Sequence, residues 1–104
     1  MRLAIALALA STAVLSACRG DPVKCEQGCR NYATLVYWKH AEVKIAAAPA
    51  DQRDAMRKQQ QDELDRYLEQ GVPVCVRQCQ SANNTDQTDC MIAAKTADQA
   101  TACQ

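Results

Sequence analysis

Residues 25–29 have the sequence Cys-Glu-Gln-Gly-Cys and residues 75–79 have the sequence Cys-Val-Arg-Gln-Cys, two copies of the pattern C-x3-C. On an α-helix, residues i and i+4 lie one above the other on the same face. Two helices that each carry this pattern and pack antiparallel can therefore be joined by two disulfides. The motifs predict an all-α fold built on a disulfide-stapled antiparallel helical hairpin.

Spacing ranks the cysteine pairings, although the sequence alone leaves the connectivity open. The most regular scheme joins the outer cysteines, Cys25–Cys79, and the inner cysteines, Cys29–Cys75. The residue numbers of both pairs sum to 104, which places the centre of the hairpin at residue 52. Pro-Ala-Asp at residues 49–51 is a turn and helix-start signal at that place. Cys90–Cys103 is the remaining pair.

The predicted hairpin covers residues 22–82. Its first helix spans 23–47, after an N-cap and N1 pair at Asp21 and Pro22. The apolar positions of this helix follow one stripe, formed by Cys25, Cys29, Tyr32, Val36, Val43 and Ala47. The second helix begins near Asp51, and Pro73 predicts a kink or a restart within it. Residues 83–104 form a short C-terminal helical pair, 86–95 and 96–103, that the third disulfide closes.

The composition excludes a large core and a deep cofactor pocket. From residue 18 onward the chain has 11 Leu, Ile and Val residues, and it has no Phe. This number of bulky apolar side chains is below the level expected of a domain that its hydrophobic core stabilises. In small exported proteins, disulfides supply the stability that such a core would otherwise provide. Lys and Arg number 12 and Asp and Glu number 12, without a basic stripe. We therefore expect no nucleic-acid partner, no metal and no cofactor.

The first seventeen residues have the organisation of an export signal. A positive start, Met-Arg, precedes a mostly apolar run over residues 3–14, which is shorter than the roughly 20 residues needed to span a bilayer. Leu15-Ser16-Ala17-Cys18 follows directly and resembles the lipobox of bacterial lipoprotein precursors. The resemblance implies that residues 1–17 are a cleaved signal peptide. It also implies that Cys18 receives a diacylglycerol and an N-acyl chain such as palmitate, and that residues 18–21 tether the protein to the membrane.

The same resemblance predicts the location. Asp after the lipidated cysteine is typical of inner-membrane retention in the Gram-negative members of this class, and this chain has Arg19 there. We therefore expect a lipid-anchored protein of the cell envelope, on the outer membrane in preference to the inner one. The alternatives are an ordinary secretory signal cleaved near Ala17, with Cys18 as a disulfide partner, and a retained transmembrane helix.

The remainder of the chain is also similar to the small twin-cysteine hairpin proteins of the mitochondrial intermembrane space. In those proteins the two C-x3-C motifs are much closer together than the 45 residues that separate them here. This likeness implies shared hairpin geometry and carries no function.

No catalytic set is predicted. C-x3-C pairs could supply four thiolates to a metal, but an oxidising compartment favours disulfides. Catalytic dithiols generally use C-x-x-C, which is absent. His40 is the only histidine and has no nucleophile signature beside it. The carboxylates of residues 62–69, namely Asp62, Glu63, Asp65 and Glu69, are typical of a solvated helix face.

The candidate partner surface is aromatic. Tyr37 and Trp38 lie off the predicted stripe, and Ala41 and Ile45 follow at helical spacing. If exposed, this patch would favour a protein partner, because Trp and Tyr are enriched at binding hot spots. The alternative is packing of the patch against the C-terminal helices. We expect a small, non-enzymatic binding or structural lipoprotein, with two alternatives: a thiol-redox or metal-handling lipoprotein, and an inhibitor of a periplasmic enzyme.

Overall fold

The computed structural model describes residues 18–104, and the predicted signal peptide, residues 1–17, lies outside the described residues. Within the described range every regular element is helical. The helices are α1 (Pro22–Ala47), α2 (Arg53–Ala82), α3 (Thr85–Ala93) and α4 (Ala97–Thr101), with a 3-10 turn at Ala50–Gln52 between α1 and α2. The predicted all-α class is confirmed.

The helix ends follow the local sequence signals. Asp21 caps α1 with one carboxylate oxygen, which accepts from the backbone N–H of Val23 at 2.8 Å, and Pro22 takes the first helical position. Asn84 and Thr96 cap α3 and α4 in the same way through their side-chain oxygens. Asn83 ends α2 with a φ of 47°, a left-handed conformation that asparagine tolerates better than most residues.

Helix α2 continues through Pro73, so of the predicted kink or restart at this residue the restart is wrong. A proline inside a helix lacks its own N–H and displaces the carbonyl four residues earlier, which here belongs to Glu69. Both residues are exposed, so solvent can hydrogen-bond the freed carbonyl. The buried side chain of Val72 and the disulfide at Cys75 hold the helix on either side of the proline.

Three disulfides link the helices, and they are the pairs that the spacing favoured. Cys25–Cys79 and Cys29–Cys75 join α1 to α2, with Cα–Cα distances of 5.8 and 6.0 Å. Cys90–Cys103 ties α3 to the C-terminus, with a Cα–Cα distance of 5.7 Å. The hairpin is therefore stapled twice at the end that carries the N-terminus of α1.

The contact between α1 and α2 follows a row of residues four apart. Cys25 and Cys29 begin the row on α1, and Tyr37, whose ring lies 6.4 Å from that of Tyr67 on α2, lies in the same row. The row ends at Ala41 and Ile45, which are 2% and 1% exposed.

A step of four residues turns about 40° past a full helical turn, so the row winds around α1 while the predicted stripe ran straight. The straight stripe therefore fails near the hairpin turn, where Val43 is 71% exposed.

Helices α3 and α4 pack on α1 rather than on α2. Gly28 lies beneath α3, because a Cβ at this residue would lie 3.4 Å from the side chain of Met91 and from the carbonyl oxygen of Thr88. The core is thus small and rich in alanine and cysteine. Its members below about a tenth exposure are Cys25, Cys29, Ala41, Ile45, Leu64, Val72, Met91, Ala94, Ala97 and Ala100.

Candidate functional site

The residues between Cys18 and α1 lie against the stapled end of the hairpin. Cys18 is exposed and forms no disulfide within the described range. Two residues on, the N–H of Gly20 donates to the carbonyl oxygen of Gln80 at 2.9 Å, and the side-chain amide of Gln80 returns a longer contact of 3.4 Å to the carbonyl of Gly20. The backbone is therefore held from Gly20 onward, and only Cys18 and Arg19 are left as a tether.

Gly20 makes this contact possible because it has no side chain. A Cβ here would lie 3.3 Å from the carbonyl oxygen of Cys79 and from the Cα of Gln80, and 3.4 Å from the sulfur of Cys25. Two of these three neighbours are backbone atoms, which cannot move as a flexible side chain can. Position 20 therefore requires glycine, because the backbone there lies directly against the backbone at the end of α2.

Trp38 is half-buried and borders two open grooves in the surface. The first groove, about 500 Å³, lies between α1 and the beginning of α2 and is lined by Trp38, Glu42, Asp54, Arg57, Lys58, Gln61 and Asp62. The second, about 340 Å³, lies between α1 and the beginning of α4 and is lined by Leu35, Trp38, Lys39, Glu42, Thr96, Ala97 and Asp98. The indole is the one aromatic side chain that both grooves share.

Ion pairs bracket Trp38 on both sides. Arg57 on α2 pairs with Glu42, and Lys39 pairs with Asp98 on α4. All four side chains are at least half exposed, so the pairs add little to stability. They surround an apolar ring with charges of both signs, an arrangement typical of the rim of a protein interface.

Tyr37 lies beside Trp38 but takes part in the contact between the helices. Its ring meets the Trp38 ring edge-on, with centroids 6.1 Å apart. Its hydroxyl lies 2.9 Å from the Gln60 side-chain oxygen and 3.2 Å from a Glu63 carboxylate oxygen. Burial, and next the hydrogen bond to Glu63, raise the pKa of Tyr37. Tyr37 is thus a positioning residue behind Trp38.

The proposed membership of Ile45 in an exposed patch is wrong. Ile45 is 1% exposed and Ala41, the other member at helical spacing, is 2% exposed. Both end the winding row on α1, so they belong to the core of the hairpin. The prediction failed because a straight stripe put the core on the wrong side of α1 near the turn. Of the predicted surface, Trp38 borders the open grooves and Tyr37 lies behind it.

A third groove, about 230 Å³, has the inner disulfide in its wall. It is lined by Cys29, Tyr32, Ala33, Tyr67, Leu68, Gly71, Val72, Cys75, Gln78, Met91 and Gln104. No local sequence pattern indicates this groove, because its residues come from three helices and from the C-terminus.

The other candidate side chains are dispersed. Cys25 and Cys29 are each 1% exposed, and their sulfurs are bonded in disulfides, so neither atom is a thiolate that could bind a metal. In residues 18–104, no group of three or more His, Cys, Asp and Glu side chains is placed to hold a metal ion. His40 is exposed. Glu63 accepts from Tyr37, while the neighbouring acids Asp62, Asp65 and Glu69 are exposed.

Sequence reasoning missed two residues that hold the C-terminal helices on α1. The Asn31 side chain donates to backbone carbonyls at the end of α3, and Gly28 lets α3 approach. A glycine in a helix interior is disfavoured by about 1 kcal/mol relative to alanine, so Gly28 could have indicated close packing. Asn31 offered only the weaker signal of a polar residue within a helical run.

Among the helices of residues 18–104, none is long and apolar enough to cross a bilayer. No family model, curated protein or solved structure matches the chain.

Proposed function

We propose that this protein is a small lipid-anchored lipoprotein of the bacterial cell envelope, whose disulfide-stapled hairpin acts as a non-enzymatic binding module. Cys18 is the site of lipid attachment after removal of residues 1–17. The outer membrane is favoured over the inner one because Arg19 follows the cysteine.

One observation carries the proposal: six of the seven cysteines are used in internal disulfides, and Cys18 is the one left over. An odd cysteine in an exported protein calls for a separate explanation. Cys18 lies directly after an apolar leader, within the lipobox-like sequence of residues 15–18, and it is exposed. Acylation explains its position, its exposure and the odd count together.

Binding is favoured over catalysis because of what surrounds Trp38. The indole borders two open grooves with charged rims, and the helices behind it are cross-linked. A rigid aromatic side chain with a polar rim is a common anchor for a protein partner. A structural component of the envelope and an inhibitor of a periplasmic enzyme would both use such a surface.

The lipid anchor is tested by the intact mass of the protein purified from bacterial membranes. We expect a chain that begins at Cys18, carries the mass of a diacylglycerol and one further acyl chain, and has six cysteines oxidised. The Cys18→Ser variant should retain the leader or be released without lipid. An exported protein with an unmodified thiol at Cys18 would contradict the proposal.

The binding role is tested by cross-linking in the intact envelope followed by purification. We expect a defined partner with the native protein, its loss with Trp38→Ala, and its retention with Val43→Ala, an exposed residue on the same helix. Circular dichroism verifies that both variants are folded. Equal recovery with the two variants would remove Trp38 from the binding surface.

Thiol and metal analysis of the same preparation tests the redox and metal-handling alternative. Six blocked thiols and no bound metal support the binding module. Titratable thiols beyond Cys18, or a stoichiometric metal, would favour the alternative.

A further inference from the structure

We infer that the stapled end of the hairpin faces the lipid surface, so that the hairpin stands end-on to the membrane with its turn directed away. This inference rests on the lipidation of Cys18 proposed above. The membrane-facing surface is formed by Arg19, Gly20, the loop residues Asn83 and Asn84, and Thr85 at the start of α3. Its partner is the headgroup layer of the bilayer that holds the acyl chains.

The short tether is the first reason. The backbone is fixed to the end of α2 at Gly20, through its hydrogen bond to Gln80. Two residues, Cys18 and Arg19, then separate the lipid from the folded module, and they span at most about 7 Å. The end of the hairpin therefore cannot leave the headgroup region.

The second reason is that the tether and the connection between α2 and α3 lie side by side at the stapled end of the hairpin. Gly20 and Asp21 border one small cavity together with residues 83–85. The loop between α2 and α3 therefore lies beside the tether, at the same end of the molecule. The polar side chains of Asn83 and Asn84 in this loop, and of Thr85 at the start of α3, are exposed and can hydrogen-bond lipid headgroups.

The third reason is that the side of the hairpin formed by the turn and the beginning of α2 lacks the apolar face of a membrane-lying helix. A helix that lies flat in an interface has one apolar face and a basic polar face. Residues 52–63 of the turn and α2 have three basic and three acidic side chains, and their only apolar residues are Ala55 and Met56. Laying this side on lipid would bury little apolar area and gain no net attraction to anionic headgroups.

End-on attachment sets the height of the binding surface. Helix α1 has 26 residues, so the hairpin extends about 39 Å from the bilayer at a rise of 1.5 Å per residue. Trp38 lies about two thirds of the way along, about 25 Å above the headgroups. The two Trp38 grooves would then be offered to a partner well clear of the lipid.

The test is neutron reflectometry of the lipidated protein in a supported bilayer of phosphatidylethanolamine and phosphatidylglycerol. We expect a protein layer about 40 Å thick, the length of α1. Gly20→Val places branched carbons against the backbone of α2, which undocks the tether and frees the tilt, so its layer should become thinner and more diffuse than the native one, between about 40 Å and about 20 Å, two helix diameters. Gly71→Val is the matched control, because a Cβ there meets its nearest neighbour, the Tyr67 ring, at 4.0 Å. Its layer should stay as thick as the native one.

Intact mass, measured on each preparation, separates the two hypotheses. A fully lipidated native protein with a layer of about 20 Å overturns the end-on orientation and leaves the anchor standing. A Gly20→Val layer as thick as the native one also overturns it, because the Gly20 contact would then not set the tilt. A mass without lipid on Cys18 overturns the proposed function, and the orientation with it.

Discussion

The side-chain amide of Asn31 on α1 donates a hydrogen bond of 2.9 Å to the carbonyl oxygen of Ala94, the C-cap residue that directly follows α3. The same nitrogen lies 2.8 Å from the carbonyl oxygen of Met91. The last carbonyls of a helix have no partner within the helix, so a donor from elsewhere must satisfy them where they are buried. Asn31 supplies that donor and fixes the C-terminal helices on α1.

Asn31→Asp should loosen the C-terminal helices while it leaves the hairpin folded. The substitution keeps the shape but replaces two N–H donors by an acceptor that faces carbonyl oxygens. We expect a loss of roughly 1–3 kcal/mol in the free energy of unfolding, and faster amide hydrogen exchange in α3 and α4. Gln27→Glu makes the same chemical change at an exposed position of α1 and should have little effect. Equal stability of the two variants would show that Asn31 does not hold α3.

Local signals were sufficient for the helices and for the disulfide pairs. The N-cap at Asp21 and the two C-x3-C motifs act over a few residues, so the sequence displays them directly. Gly20 and Asn31 act through segments distant in the chain, and the sequence near each of them does not indicate the partner. The prediction that Ile45 is exposed failed for a geometric reason. Over twenty residues, a row of residues four apart turns more than half-way around α1, whereas the predicted stripe stays on one side of the helix.

The two hairpin disulfides should be largely redundant in stability. Cross-linking a loop of 54 residues lowers the entropy of the unfolded chain by the equivalent of about 4 kcal/mol, and the nested second link adds less because its ends are already close. Cys25→Ala/Cys79→Ala and Cys29→Ala/Cys75→Ala should therefore each stay helical. The variant that lacks all four cysteines should lose cooperative thermal unfolding by circular dichroism, since the lost free energy is comparable to the whole stability of a small domain.

Removal of the third disulfide is the control for that experiment. Cys90→Ala/Cys103→Ala should lose about 3 kcal/mol from the closure of a 13-residue segment, with the loss confined to α3 and α4. A four-alanine hairpin that melts like the native protein would refute the idea that disulfides replace the core.

Cys90–Cys103 should be the first disulfide to open under a limiting amount of dithiothreitol. Thiol–disulfide exchange needs direct access of a thiolate to sulfur. Cys90 is exposed, whereas each hairpin disulfide has one cysteine, Cys25 or Cys29, that is only 1% exposed. Alkylation after short reduction, followed by peptide mass mapping, should label Cys90 and Cys103 well before the other four. Simultaneous labelling of all six cysteines would mean that the two hairpin disulfides are reduced as readily as Cys90–Cys103.

Tyr37 should make stability fall at alkaline pH. Burial, assisted by the hydrogen bond to Glu63, raises the pKa of Tyr37 in the folded protein above its ordinary value of 10.0. As the pH rises, the unfolded chain loses the Tyr37 proton before the folded chain does. The stabilisation that Tyr37 contributes is therefore complete below pH 10, and it is lost as the pH rises from there through the pKa of Tyr37 in the folded protein.

The free energy of unfolding in urea, measured from pH 8 to 11, should therefore decline more steeply for the native protein than for Tyr37→Phe. Tyr67→Phe is the control, because Tyr67 is 56% exposed. It should follow the native curve. Parallel curves for the native protein and Tyr37→Phe would show that the hydroxyl of Tyr37 titrates equally in the folded and unfolded states, and hence that neither its burial nor its contact with Glu63 on α2 is maintained in solution.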